Sequence, residues 1–148
     1  MQKLGVTATT QDADDLVNQT LPLLESEKID FTQFFDALTR MAQGDNETEL
    51  LALFTHRQNG EAWLANWKSV RNDSEETVAA MRKANPALIA RNHQVEKAIE
   101  DAMERNDFAL FHRLAEALKT PYTVSEDNRD LQTPPAPEER VLRTFCGT

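Results

Sequence analysis

The side chains able to do chemistry are few and scattered. One cysteine, Cys146, stands third from the end in "VLRTFCGT". A lone cysteine closes no internal disulfide, fits a reducing cytosol and excludes a multi-cysteine metal site within the chain. Arg143 favours its thiolate while the nearby terminal carboxylate opposes it. An accessible thiol on a loose end is nonetheless one requirement of a redox partner. The histidines, His56, His93 and His112, form no H-E-x-x-H and no i, i+4 pair on one helix. Ordinary surface or half-buried histidines are therefore expected, not metal ligands. "DNETELLALFTH" alternates acids as a calcium loop does, but it lacks the turn glycine and puts His56 where a bidentate Glu is needed.

The four glycines, Gly5, Gly44, Gly60 and Gly147, lie too far apart to build a phosphate-cradling loop. That excludes G-x-G-x-x-G and Walker-type sites. Trp63 and Trp67, four apart on one helical face, could stack a base or ligand, but the apolar area each carries favours core. Arg82, Lys83, Arg91 and His93 gather in "RKANPALIARNHQ", the one locally basic stretch. It reads either as a solvated face or as a docking surface for an acidic partner such as another domain, and periodicity leaves both open.

The elements that must position these residues are helical. A chain of 148 residues with 40% hydrophobic and 28% charged side chains fits one domain with an unstapled core. A net charge of −9 repels phosphate backbones and anionic lipid, which argues against nucleic-acid and membrane partners. No apolar run reaches the roughly 20 residues that span a bilayer, and "MQKLGVTATTQDADD" lacks the apolar centre of a secretory signal. A cytoplasmic location is expected.

Residues 12–28 carry Leu16, Val17, Leu21 and Leu24 at helical spacing, with Pro22 expected to kink or restart the helix. Asp30 and Gln33 form a capping-box pattern ahead of Phe31, Phe34, Phe35, Leu38 and Met41, and Gly44 marks the stop. Helices follow over about 46–56 and about 60–71, within the usual boundary error, and Ser74 caps the next. Asn85-Pro86 reads as a further helix start. Beyond it Val95, Ala98, Ile99, Ala102 and Met103 follow the pattern of one buried face. Asp107 caps a last helix with Phe108, Phe111, Leu114 and Leu118. From residue 120 prolines and polar clusters replace the stripe, so an extended tail is expected, laid over a surface through Tyr122, Leu131, Val141, Leu142 and Phe145.

One longer pattern narrows the function. "ANPALIARNHQVEKAIEDAMERNDFALFHRLAEALKTPY", a proline-rich stretch and the terminal "RTFCGT" resemble the C-terminal end of the selenoprotein O (YdiU) family of pseudokinase-like protein adenylyltransferases. "KLGV" and "DFTQFF" resemble family segments too, so the similarity runs the whole chain and is strongest over residues 81–148. The resemblance implies a parent with a kinase-like core that binds ATP and divalent metal (magnesium) and transfers AMP to protein hydroxyls. That core would lie N-terminal to these residues, with Met1 an arbitrary starting point within the parent or the chain a truncated relative. No glycine-rich loop, H-R-D or D-F-G occurs here, so none of the family's nucleotide- or metal-binding residues carries over. Cys146 does carry over. In the family the terminal Cys or selenocysteine is held to pair with a cysteine near the active site, which would place its partner outside this chain.

The expectation is an all-α chain: a compact bundle of about six or seven helices over residues 1–119 and an extended proline-rich tail over 120–148. No catalytic, cofactor-binding or metal-binding residue is expected within it. Its role would be to pack on the kinase-like core, with Arg91, Asn92 and His93 as a possible docking site, and to present Cys146 for redox control. Protein substrates would be met through the parent. The competing reading is a free-standing helical interaction module. A metal-dependent hydrolase finds no supporting ligand spacing.

Overall fold

The computed structural model describes residues 1–139. Among them the chain is all-helical, with seven α-helices and no strand: α1 Gln11–Ser26, α2 Phe31–Ala42, α3 Thr48–Ala52, α4 Arg57–Val70, α5 Glu75–Ala84, α6 Asn92–Arg105 and α7 Ala109–Ala117. Short 3-10 helices cover Gln2–Leu4, Glu126–Gln132 and Pro137–Glu139. Local capping chemistry sets most of the ends. Asp30 Oδ1 accepts from the Gln33 amide at 2.9 Å, and Ser74 Oγ from that of Thr77 at 3.2 Å. Gly44, at φ 118°, ends α2: its own amide donates to the Met41 carbonyl and that of Asp45 to Arg40, which closes a Schellman motif. The same pair of bonds ends α1 with Lys28 at φ 56°, a position where sequence gives no glycine to announce it.

Two compact units form, Met1–Pro86 and a second beginning at Ala87. The first is built on aromatic rings. Phe34, Phe35, Leu38, Trp63 and Trp67 are buried, and Phe34 meets Trp63 edge-on with centroids 5.0 Å apart. The tryptophan pair is core: the rings stack at 6.4 Å and 13°, and each indole N–H finds a buried acceptor. Trp63 Nε1 donates to Thr20 Oγ1 at 3.1 Å and Trp67 Nε1 to the Leu4 carbonyl at 2.7 Å. Such rings each bring roughly 2–3 kcal/mol of burial once their polar atom is satisfied. Gly60 is needed by proximity: a Cβ there would stand 2.7 Å from Phe54 Cδ2.

Several expectations need correction. α1 does not restart at Pro22 but continues through it to Ser26. The amide bond that proline deletes would have reached the carbonyl of Asn18, and both residues are exposed, where water can satisfy that carbonyl. Leu21 is 57% exposed, and the buried face of α1 is Ala13, Leu16, Thr20 and Leu24. Asn85-Pro86 starts no helix: Asn85 terminates α5, and α6 begins only at Asn92. Residues 120–139 belong to the second unit, where Ala87 and Leu88 both donate to the Pro121 carbonyl (2.8 and 2.9 Å) and Gln132 Nε2 donates to the Ala87 carbonyl at 2.8 Å. Leu131 is buried there with Leu88, Ala98, Leu114 and Ala117, while Tyr122 stays 42% exposed. Val141, Leu142, Phe145 and Cys146 lie outside the described residues.

Asn85 is diverted from capping because its side chain is fully buried inside the first unit. Its Nδ2 donates to the Lys3 carbonyl and to Thr39 Oγ1, each at 2.8 Å, and Lys3 Nζ returns a bond to its Oδ1 at 3.2 Å. Lys3 also donates to the Ala84 carbonyl at 2.6 Å and lies over the rings of Phe31 and Phe35, and burial lowers its pKa. Replacing Asn85 by alanine strands buried groups on both neighbours. The expected outcome is a loss of about 1–3 kcal/mol, read as a lower urea midpoint at unchanged slope.

Candidate functional site

Arg91, Asn92 and His93 form the entry to α6, with Arg91 as its N-cap residue. They are consecutive but not equivalent. Arg91 is only 6% exposed, Asn92 is exposed, and His93 is half-buried. Among the described residues the buried Nδ1 of His93 has no hydrogen-bond partner. Gln94, next along, is buried and donates from Nε2 to the Asp130 carbonyl at 3.3 Å. The residues of the basic stretch differ in exposure. Arg82 pairs with buried Asp36 at 2.9 Å and bonds the Asn85 carbonyl, so its charge is satisfied inside the first unit, while Lys83 alone is openly exposed.

Sequence reasoning missed two polar assemblies. The first is Glu27, whose side chain is 2% exposed although it is acidic. It sits at the C-terminal end of α1 and caps the N-terminus of α4 from a distance. Its Oε2 accepts from the His56 amide at 2.9 Å and its Oε1 from Asn59 Nδ2 at 2.6 Å, with His56 Nδ1 3.1 Å away. A carboxylate at a helix N-terminus meets both unpaired amides and the positive end of the helix dipole. These bonds, the His56 amide first and Asn59 second, hold Glu27 below the usual carboxylate range. The second is Arg113 on α7. Its Nε donates to Asn128 Oδ1 at 3.0 Å and its Nη1 to Asp130 Oδ2 at 2.9 Å, pinning the 126–132 turn. The Arg113 hydrogen bond in turn lowers the Asp130 pKa. Neither assembly joins residues close enough in sequence to show a motif.

The histidines go separate ways. His56 attends Glu27, His93 stands at the start of α6, and the His112 ring lies 6.4 Å from that of Phe108 and 5.5 Å from that of Phe111, centroid to centroid. Among the described residues no group of three His, Cys, Asp or Glu side chains could hold a metal ion, and no helix is long and apolar enough to cross a membrane.

The largest departure from expectation is the surface of α6. Its buried face is Gln94, Ala98 and Asp101, while Ile99 is 47% and Met103 80% exposed. The apolar stripe that periodicity assigns to the core therefore points mostly away from it. On α7 the buried residues are Leu114 and Ala117, and Phe108 and Phe111 remain 46% and 54% exposed.

Fold and surface define an all-helical protein whose second unit shows apolar side chains to its surroundings. Comparison with known proteins adds what it is kin to. The family model of protein adenylyltransferase SelO matches residues 1–119. A protein nucleotidyltransferase YdiU from Shewanella denitrificans is 40% identical over 99% of this chain and 31% of its own length. The namesakes from Rhizobium etli and Bacillus cereus are 42% and 38% identical, again over 99% of this chain and 30% of theirs. The chain belongs to the SelO family of protein adenylyltransferases. It spans about three tenths of the length of these curated relatives.

The Glu27 contacts give a pH test. A carboxyl whose folded pKa is lowered stabilises the fold fully above its ordinary value of 4.5 and loses that contribution as pH falls through the lowered value. Urea unfolding from pH 7 down to pH 3 should therefore show an acid-side decline that is shallower in Glu27→Gln, which should itself be less stable at pH 7. Parallel pH profiles for the two proteins would contradict the role given to Glu27.

Proposed function

We propose that these residues form the helical C-terminal part of a SelO-type protein adenylyltransferase and do not themselves perform the transfer. In this reading a kinase-like core outside these residues binds ATP and magnesium and moves AMP to hydroxyl groups of protein substrates. The helical part packs on that core and presents Cys146 to a cysteine near its active site, so that oxidation of the pair alters activity. The observation that carries this reading is one of proportion. The match covers 99% of this chain yet 31% of the S. denitrificans relative, and the chain's scattered glycines offer no cradle for a triphosphate. The position of Cys146, third from the end, supports the redox part.

Labelling settles both parts. The isolated 148-residue chain, given labelled ATP, magnesium and a mixture of proteins, should transfer no AMP. The S. denitrificans relative carrying this chain in place of its own matching stretch should transfer AMP, with activity that differs between reducing and oxidising conditions. Cys146→Ser should remove that difference while keeping activity under reduction. Transfer by the isolated chain would overturn the non-catalytic role, and an unchanged redox response in the variant would overturn the role of Cys146.

A further inference from the structure

α6 faces two ways. Toward the core of its unit it turns Gln94, Ala98 and Asp101, two polar side chains and a methyl group. Away from that core run Val95, Ile99, Ala102 and Met103, half-buried at Val95 and Ala102 and open at Ile99 and Met103. A helix ordinarily gains most of its stability by burying its apolar stripe, and here that stripe is largely unburied. Directly beside it Glu96, Glu100 and Glu104 recur at four-residue steps, all exposed. An apolar ridge with one acidic flank is a surface of defined character, and surfaces of this kind mark interaction sites.

We infer that this ridge docks on an apolar patch edged by lysine or arginine side chains, supplied by the part of the family's longer polypeptide that lies outside these residues. The inference rests on the function proposed above and names the surface that would do the packing. Two observations select the occupant. The chain covers 31% of the S. denitrificans relative, which leaves more than two thirds of that polypeptide to provide a partner surface. A second copy of this chain fits poorly: antiparallel two-fold pairing along the ridge would set one glutamate row against another, and any pairing would join two molecules of net charge −9. Like charges opposed across an interface are costly, whereas a basic rim would match the row.

Methionine oxidation reads the ridge directly. Met103 is 80% exposed, Met81 only 1%, so the two serve as probe and internal reference. With dilute peroxide and peptide mass analysis, Met103 should oxidise rapidly in the isolated chain and Met81 slowly. In the S. denitrificans relative carrying this chain, Met103 oxidation should slow about tenfold or more, as expected when a thioether loses access to oxidant. Reversing two exposed charges, Glu96→Lys with Glu100→Lys, should restore fast oxidation in the longer protein and leave the melting temperature of the isolated chain unchanged. Equal Met103 oxidation in the isolated chain and in a longer protein that still transfers AMP would overturn the docking and spare the proposed function. Protection of Met103 in the isolated chain together with a doubled mass in sedimentation would overturn it in favour of self-association. AMP transfer by the isolated chain would instead strike the proposed function.

Discussion

Asn85 is fully buried, and its carboxamide makes three hydrogen bonds, two with Lys3 and one with Thr39. One goes to the backbone of the 3-10 turn, one to α2 through Thr39, and one comes from the ammonium of Lys3. Thr39 in turn donates to the Phe35 carbonyl at 2.7 Å, so nothing in the group is left without a partner of its own. The carbonyl of Leu4, one residue beyond Lys3, receives the indole N–H of Trp67. Fixing the chain's first turn thus fixes the ring on which α4 is seated. In a medium of low dielectric a completed network of this kind holds geometry firmly, while an incomplete one is worse than plain hydrocarbon. The aromatic core supplies most of the burial; the amide decides which arrangement of helices that burial rewards.

The two units are stabilised by different means. The first buries three phenylalanines and two tryptophans. Among the described residues the second has Ala87, Leu88, Ala98, Leu114, Ala117 and Leu131 as its buried apolar set, a core of small and medium side chains. Polar ties make up part of the difference: Arg113 to Asn128 and Asp130, Gln94 to the Asp130 carbonyl, Gln132 to the Ala87 carbonyl. A short segment with so few large buried side chains gains comparatively little on folding. The exposure of Ile99, Met103, Phe108 and Phe111 belongs to the same pattern, because apolar area that would have enlarged this core faces outward instead.

What could be read from the sequence was local. The Asp30 and Ser74 caps, the Gly44 stop and the tryptophan pair each follow from neighbours a few residues away, and each stands in the structure. The family, too, was legible, in the segments around Asn85-Pro86 and Arg91-Asn92-His93 and in the closing cysteine motif. Errors arose where distant partners overruled a local signal. Asn85 has the chemistry of a cap, but Lys3 and Thr39 lie far away in sequence and claim it. Pro22 is a breaker only where its lost bond cannot be replaced, and solvent exposure at Asn18 is invisible in the letters. The α6 stripe was recognised as apolar, correctly, yet periodicity states which residues share a face and not what that face meets. Glu27 was unremarkable in sequence because α2 and α3 separate it from its partners, His56 and Asn59.

That last carboxylate has a consequence for how the first unit moves. Helix ends normally fray one at a time, each at small cost. Here the tail of α1 supplies the acceptor that closes the head of α4, so loosening the first turn of α4 means breaking the bonds that the His56 amide and Asn59 donate to Glu27. Amide protons at the two ends are thereby coupled, and they would exchange with solvent as one cooperative group although nearly thirty residues of chain lie between them.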